Sequence, residues 1–329
     1  MRWGIDALLP VPVNIIVKKS GDPDPVPSFS ATNGVLVQAG TALDIKFNQN
    51  PSGFPLPNSD LTWYCRQLKE TGTSEHDINP DDYFTAWQSI GQGPEINYTP
   101  PSGGIFQVKA AVVTASGSND YFYVRKQDAL NATDSLKNYQ LADKAGQPDY
   151  FGVVDDAWQI GVRNAAHACL GSTAYAEGTP LLLYAGGPTL AGAHGPFKGK
   201  DKCNAFVYKQ ATAGGAPVPL SNNAHPWLHN IGITYLYPPS AYDWWNSTYA
   251  VSGWSGSIQN ASAFPEPGYV VAGPHQEPPA SQPHGHCGIL DYDGSWINAG
   301  TYSVNKCPQI SVTYSLPFQP LGMRKYTAK

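Results

Sequence analysis

Asp201-Lys202-Cys203-Asn204-Ala205-Phe206-Val207-Tyr208 is the stretch on which the reading of this chain turns. A glycine- and lysine-rich loop, Gly195 to Lys202, runs straight into it, and a short apolar run led by a cysteine follows. That pattern predicts a thiol at the first turn of a buried helix. A helix start carries partial positive charge and unpaired N–H groups. Both favour thiolate over thiol, which makes the sulfur nucleophilic. Taken alone, the octapeptide fits an inert, buried cysteine better. The balance turns on what lies downstream.

The segment His284-Gly285-His286-Cys287-Gly288-Ile289-Leu290-Asp291-Tyr292-Asp293-Gly294-Ser295-Trp296-Ile297-Asn298-Ala299 reads as a hairpin, two strand-like runs around an Asp293-Gly294 turn. A two-residue turn there would put Asn298 on the face away from His286. A three-residue loop or a bulge would put the two on one face. Ahead of it, Glu266 to Val271 reads as a turn and a strand. The chemistry this order offers is acyl transfer. By resemblance to the papain-like thiol hydrolases, Cys203 would be the nucleophile, His286 its base and acid, Asn298 the group that orients the imidazole, and the Cys203 backbone N–H an oxyanion donor.

A cysteine on a helix followed by a histidine on a sheet resembles the papain-like thiol hydrolases. More narrowly, the chain resembles the NlpC/P60 family of bacterial cell-wall peptidases, with the CHAP amidases as close relatives. The motifs that carry the resemblance are Cys203 with Phe206-Val207, Gly268 to Val271, His286-x-Gly288-Ile289, and Asn298. Two positions depart from the family pattern: Asn204-Ala205 stands where Ser-Gly is usual, and Tyr269 where Asp is usual. The resemblance implies a fold class of α+β, with a Cys-bearing helix packed on an antiparallel His-bearing sheet. It implies a hydrolase that cuts an amide in the peptide stem of peptidoglycan and uses no cofactor and no metal. It also places Tyr175 where a site-lining tyrosine falls.

The segment from Thr234 to Trp254 holds Tyr235, Tyr237, Tyr242, Trp244, Trp245, Tyr249 and Trp254. Rigid aromatic faces bind sugars and peptides at low entropic cost. Trp244 and Trp245 from this segment, with Tyr175 by the resemblance and His284, are the candidate substrate-binding residues. The alternative, rings that cap a loop-rich domain, stays open for each ring. A zinc site from Cys203, His284, His286, Cys287 and Cys307 is the competing chemistry. It lacks C-x-x-C or H-x-x-x-H spacing.

Ahead of the octapeptide, strand and turn signals fill residues 28–126. Leu43, Ile45 and Phe47 alternate, as do Leu61, Trp63 and Cys65, then Phe106, Val108, Ala110 and Val112. This resembles an all-β immunoglobulin-like sandwich with Trp63 in its core. The domain organisation expected is an N-terminal arm at 1–27, the sandwich at 28–126, a linker at 127–150 and the catalytic domain at 151–329. The arm's apolar half is suited to an edge strand. Val154 to Leu170 has helical spacing, with Gly171 as its stop.

Charged residues make up 14%, against 33 glycines and 30 prolines, which suits loop-rich β folds. Net charge is −5 with no basic block, so no nucleic-acid partner is expected. Five scattered cysteines do not describe a disulfide scaffold, although a Cys287–Cys307 bridge is open. The apolar run from Ala7 to Val17 is broken by Pro10 and Pro12, too short to span a membrane, and followed rather than preceded by lysines. The expectation is a chain with no signal peptide, made in the cytoplasm and exported to a periplasm or cell wall. By analogy that describes an antibacterial effector, such as one carried by type VI secretion, with a cognate immunity protein and secretion machinery as partners. A phage-associated lysin and a non-catalytic cell-wall-binding module are the alternatives.

Overall fold

The structure is a computed structural model. It describes residues 15–24, 35–47, 61–69, 84–113, 119–122, 150–176, 178–183, 185, 189–190, 202–220, 236–259, 264–274, 285–300, 302–307 and 322–328. The chain is sheet-rich α+β and divides into two compact units. One comprises Met1–Gln67 and Thr85–Val153, the other Leu68–Phe84 and Val154–Lys329.

In the first unit, β1 (Ile15–Lys19), β3 (Leu43–Phe47) and β6 (Glu95–Tyr98) form an antiparallel sheet in the order β1-β3-β6. A second sheet runs β2 (Val35–Gln38), β9 (Tyr150–Val154), β7 (Gly104–Val113), β4 (Leu61–Gln67), β5 (Gln88–Gln92), with β8 (Asn119–Phe122) also paired to β7. The two sheets share one core. Leu43 and Ile45 meet Trp63, Cys65, Phe106 and Val108 there, as period-two alternation requires. The Trp63 indole N–H donates to the Gly93 carbonyl at 2.8 Å, which satisfies its one polar atom.

Two strands of this unit come from outside the expected boundaries. Ile15–Lys19, assigned to the arm, pairs along β3 and buries Ile15 and Val17 in the core. Tyr150–Val154 straddles the expected start of the catalytic domain and is buried throughout, paired to β7. Val154 is therefore strand rather than helix. A continuous apolar run fits a strand covered on both faces. Asp155-Asp156 then opens α1 (Ala157–His167), where the Asp156 N–H donates to Gln159 Oε1 at 2.9 Å. Gly171 has φ +79° and its N–H donates to the Val304 carbonyl, turning the chain back toward the sheet.

The second unit is built on a sheet in which every neighbour is antiparallel. Its order is β12 (Ile258–Gln259), β17 (Gly322–Arg324), β13 (Val270–Pro274), β14 (Gly285–Leu290), β15 (Trp296–Ala299), β16 (Val304–Cys307). A two-stranded ribbon, β10 (Leu181–Leu182) with β11 (Thr189–Leu190), lies apart. Helix α2 (Cys203–Ala213) packs on β14 and β15, and α1 packs on α2. A Cβ at Gly161 would sit 2.3 Å from the Gly214 carbonyl oxygen, so only hydrogen at that position lets the two helices close. Phe206 and Val207 face the shared core, each burial being favourable by about 1.5–3 kcal/mol.

The short helix α3 (Ala241–Trp245) is capped by Ser240, whose Oγ accepts from the Asp243 N–H at 3.1 Å. Its far end is held by Arg324. That buried guanidinium donates to the carbonyls of Trp244, Ser255, Asp243, Asn246 and Tyr249 over 2.7–3.1 Å. Burial lowers its pKa from the usual arginine value, the Asp243 charge opposing. The five carbonyls take the place of a counter-ion in fixing the aromatic segment to the sheet.

Candidate active site

The hairpin β14–β15 decides which side chains meet. Ile289 pairs with Ile297 and Leu290 with Trp296. The Asp291 N–H donates to the Ser295 carbonyl at 2.8 Å, and the loop between them is Tyr292-Asp293-Gly294, with Gly294 at φ +77°. This is the three-residue loop, ending on a glycine in the left-handed region. It puts Asn298 across from Gly288 and one diagonal step from His286, on the same face. His286 Nε2 lies 3.0 Å from Asn298 Oδ1.

Asn298 is 1% exposed, and its Nδ2 donates to the Trp296 carbonyl at 3.4 Å. With the amide so oriented, Oδ1 accepts and Nε2 carries the proton, which leaves Nδ1 for the sulfur. Gly288 makes room for the contact. A Cβ there would stand 2.7 Å from the Ile297 carbonyl oxygen and 3.1 Å from Asn298 Cβ.

Cys203 is the first residue of α2, 5% exposed, and its sulfur receives three groups from β14. The Cys287 thiol, the His286 ring and the Cys287 backbone N–H all hydrogen-bond to it. The thiol hydrogen bond from Cys287 is the largest influence and lowers the Cys203 pKa. Burial opposes it, the hydrogen bond and charge of His286 reinforce it, and the net effect holds Cys203 well below the ordinary thiol range. Burial pushes Cys287 well above that range, and the neighbouring thiolate adds to the effect.

The structure therefore brings Cys203, His286 and Asn298 together. Cys287 has a free thiol and faces Cys203, so the Cys287–Cys307 bridge does not form. Among the described residues no group of three or more His, Cys, Asp and Glu side chains is arranged to hold a metal.

The residues expected to bind substrate are placed differently. Tyr175 is 7% exposed; its ring meets Phe206 edge-on at 5.2 Å and its hydroxyl accepts from Gln210 Nε2 at 2.6 Å. Burial pushes its pKa up to about 12. It is seated on the flank of α2 rather than presented to a ligand. Trp244 is 1% exposed and meets Trp254 edge-on at 5.0 Å, so it is a core ring with no face open for stacking. Trp245 is half-buried and lies 5.6 Å from the Tyr242 ring. His284 lies outside the described residues, as do Tyr235 and most of the Gly195–Lys202 loop.

Lys202 is described and is buried. Its Nζ donates to the Ala176 carbonyl at 2.8 Å and to the Thr179 carbonyl, which ties the Tyr175 turn to the start of α2.

Sequence reasoning misses two features of this region. It offers Cys287 only as a bridge or metal ligand, although it adjoins His286. The other is the charge cluster at the hairpin loop. Asp291 Oδ1 accepts from Arg163 Nε at 2.5 Å, and Lys306 Nζ stands 2.7 Å from Asp291 Oδ2 and 2.8 Å from Asp293 Oδ2. Arg163 is on α1 and Lys306 on β16, so the cluster ties the loop to both. Aspartate at the start of a turn is the only local signal.

No known family profile matches this chain, and no curated protein matches it. Among solved structures, the PmoD soluble domain from Methylocystis sp. (Rockwell) aligns at 11% identity over 33% of this chain and 84% of that one. Its TM-score of 0.20 carries no argument about fold or function.

Proposed function

We propose that the second unit is a papain-like thiol hydrolase of NlpC/P60 type that cleaves an amide bond by acyl transfer. One observation carries this reading. A cysteine at a helix start is hydrogen-bonded by a histidine whose Nε2 lies 3.0 Å from a buried amide oxygen. The Cys203 thiolate attacks the amide carbonyl, forming the S–C bond. The Cys203 backbone N–H, at the start of α2, donates to the oxyanion. His286 then protonates the leaving amine, and in the second half takes a proton from water as the thioester is hydrolysed. Asn298 keeps the imidazole in the tautomer that faces the sulfur.

The substrate class, the peptide stem of peptidoglycan, rests on the motif resemblance; export to a periplasm or cell wall as an antibacterial effector rests on analogy. The test is mass analysis of purified peptidoglycan after digestion. Wild-type protein should release fragments with a new amine and a new carboxylate, and Cys203→Ala should release none while keeping its fold. Activity retained in a folded Cys203→Ala protein would overturn the thiol mechanism.

A further inference from the structure

Hydrolysis by Cys203 needs one sulfur, yet the site holds two. Cys203 opens α2 and Cys287 sits in β14, the strand that α2 packs against. Both thiols are free, both belong to one core cluster, and their side chains are within hydrogen-bond reach of each other. Closing from that contact to a covalent bond asks for a movement on the order of 1–2 Å. Of the other cysteines whose side chains are described, Cys65 belongs to the first unit, and Cys169 packs at the margin of the cluster.

We propose that Cys203 and Cys287 are a modification site, a dithiol that closes reversibly to a disulfide and takes the nucleophile out of use. It regulates the same sulfur that the hydrolase reading employs, and so rests on that reading for its consequence. The cross-link itself needs no substrate. The oxidant is a hydroperoxide. The Cys203 thiolate attacks one peroxide oxygen, the O–O bond breaks and hydroxide leaves. The sulfur becomes a sulfenic acid, losing the two electrons the peroxide gains. The Cys287 sulfur then attacks Cys203 Sγ. Its proton goes to the departing hydroxide, the S–O bond breaks, the S–S bond forms and water leaves. In sum, two thiols and hydrogen peroxide give one disulfide and two waters.

The division of labour follows from the site. Cys203, at the helix start, has its pKa lowered by the Cys287 and His286 hydrogen bonds and reacts first; Cys287, inside β14, has its pKa raised by burial and follows. A stabilised thiolate is also a good leaving group, so an external dithiol reopens the bond by exchange.

The experiment uses the full wild-type chain with hydrogen peroxide. After treatment, remaining thiols are blocked, and the protein is digested without reductant and mapped by mass spectrometry. The expected result is a linked pair of peptides carrying Cys203 and Cys287, lighter by two hydrogens. Two titratable thiols should be lost per chain, and both should return with dithiothreitol. In Cys287→Ser, the same dose should carry Cys203 to sulfinic acid, which dithiothreitol does not reverse. If that variant does not fold, the wild-type map alone decides. Cys203 found in the wild type as sulfinic acid, or joined to Cys169, with Cys287 a free thiol would overturn the proposal. Peptidoglycan digestion is run beside the map. A linked peptide in a protein that never digests peptidoglycan supports the dithiol site and refutes the hydrolase reading. Digestion that persists after oxidation, with no linked peptide, does the reverse.

Discussion

Replacing Asn298 with alanine removes the hydrogen bond that fixes the imidazole and changes little else in the backbone. The bond is 3.0 Å long, and its acceptor belongs to a side chain 1% exposed to solvent. A net intramolecular hydrogen bond is worth about 0.5–1.5 kcal/mol, and an orphaned polar group costs about 1–3 kcal/mol. Each 1.36 kcal/mol added to the barrier is about tenfold in rate. Turnover should therefore fall about ten- to a hundredfold, less than in Cys203→Ala. A second readout needs no substrate: the pH dependence of Cys203 alkylation by iodoacetamide. Free to rotate, the ring spends less time paired with the thiolate, so the Cys203 pKa should rise toward the ordinary thiol value and the alkylation profile should move to higher pH. The Asn298 Nδ2 bond to the Trp296 carbonyl is lost as well, so a thermal melt must accompany both assays. A folded Asn298→Ala protein with wild-type turnover and an unmoved alkylation profile would refute the role given to Asn298.

Other predictions follow from neighbouring groups. In the native protein, Cys203 should alkylate at pH values well below those needed by the denatured chain, since its thiolate is stabilised by Cys287 and His286; identical profiles would remove the ground for calling it activated. Gly288→Ala puts a methyl 2.7 Å from the Ile297 carbonyl oxygen, so Asn298 must shift. Turnover should drop by up to about a hundredfold, the scale of a 1 Å misplacement, and kcat rather than KM should carry the loss. Asp291→Asn leaves Arg163 buried beside a neutral partner and should destabilise the second unit by about 3–5 kcal/mol in urea titration. Burial raises the Asp291 pKa, but the charges of Lys306 and Arg163 outweigh it and the net shift is downward. Its contribution is therefore complete above the unfolded carboxyl value near 3.9 and fades as pH falls through the lower folded value. The acid limb of stability should flatten in Asp291→Asn, and an unchanged limb would show that the cluster does not hold the loop.

Much of what the sequence determined was local. Alternation put Leu43, Ile45, Trp63 and Cys65 on the inner face of strands, because side chains two apart share a face whatever the strand pairs with. The apolar run led by Cys203 carried its helix, and Asp293-Gly294 its turn, because a left-handed backbone position depends on the residue itself. What tertiary structure decided was pairing. Ile15–Lys19 and Tyr150–Val154 joined the first unit because their partners, β3 and β7, lie far along the chain. Trp244 and Tyr175 went inward because Trp254, Phe206 and Gln210 stand where they can cover them, and an aromatic ring reads the same in a core as in a cleft. Whether Asn298 faces His286 rested on the parity of one loop, which the sequence permits in two forms and the Asp291–Ser295 hydrogen bond resolves. The second thiol at Cys203 came from a strand that the order of residues places beside α2 only once the sheet is closed, since a hydrogen bond between distant residues leaves no mark on the spacing of either.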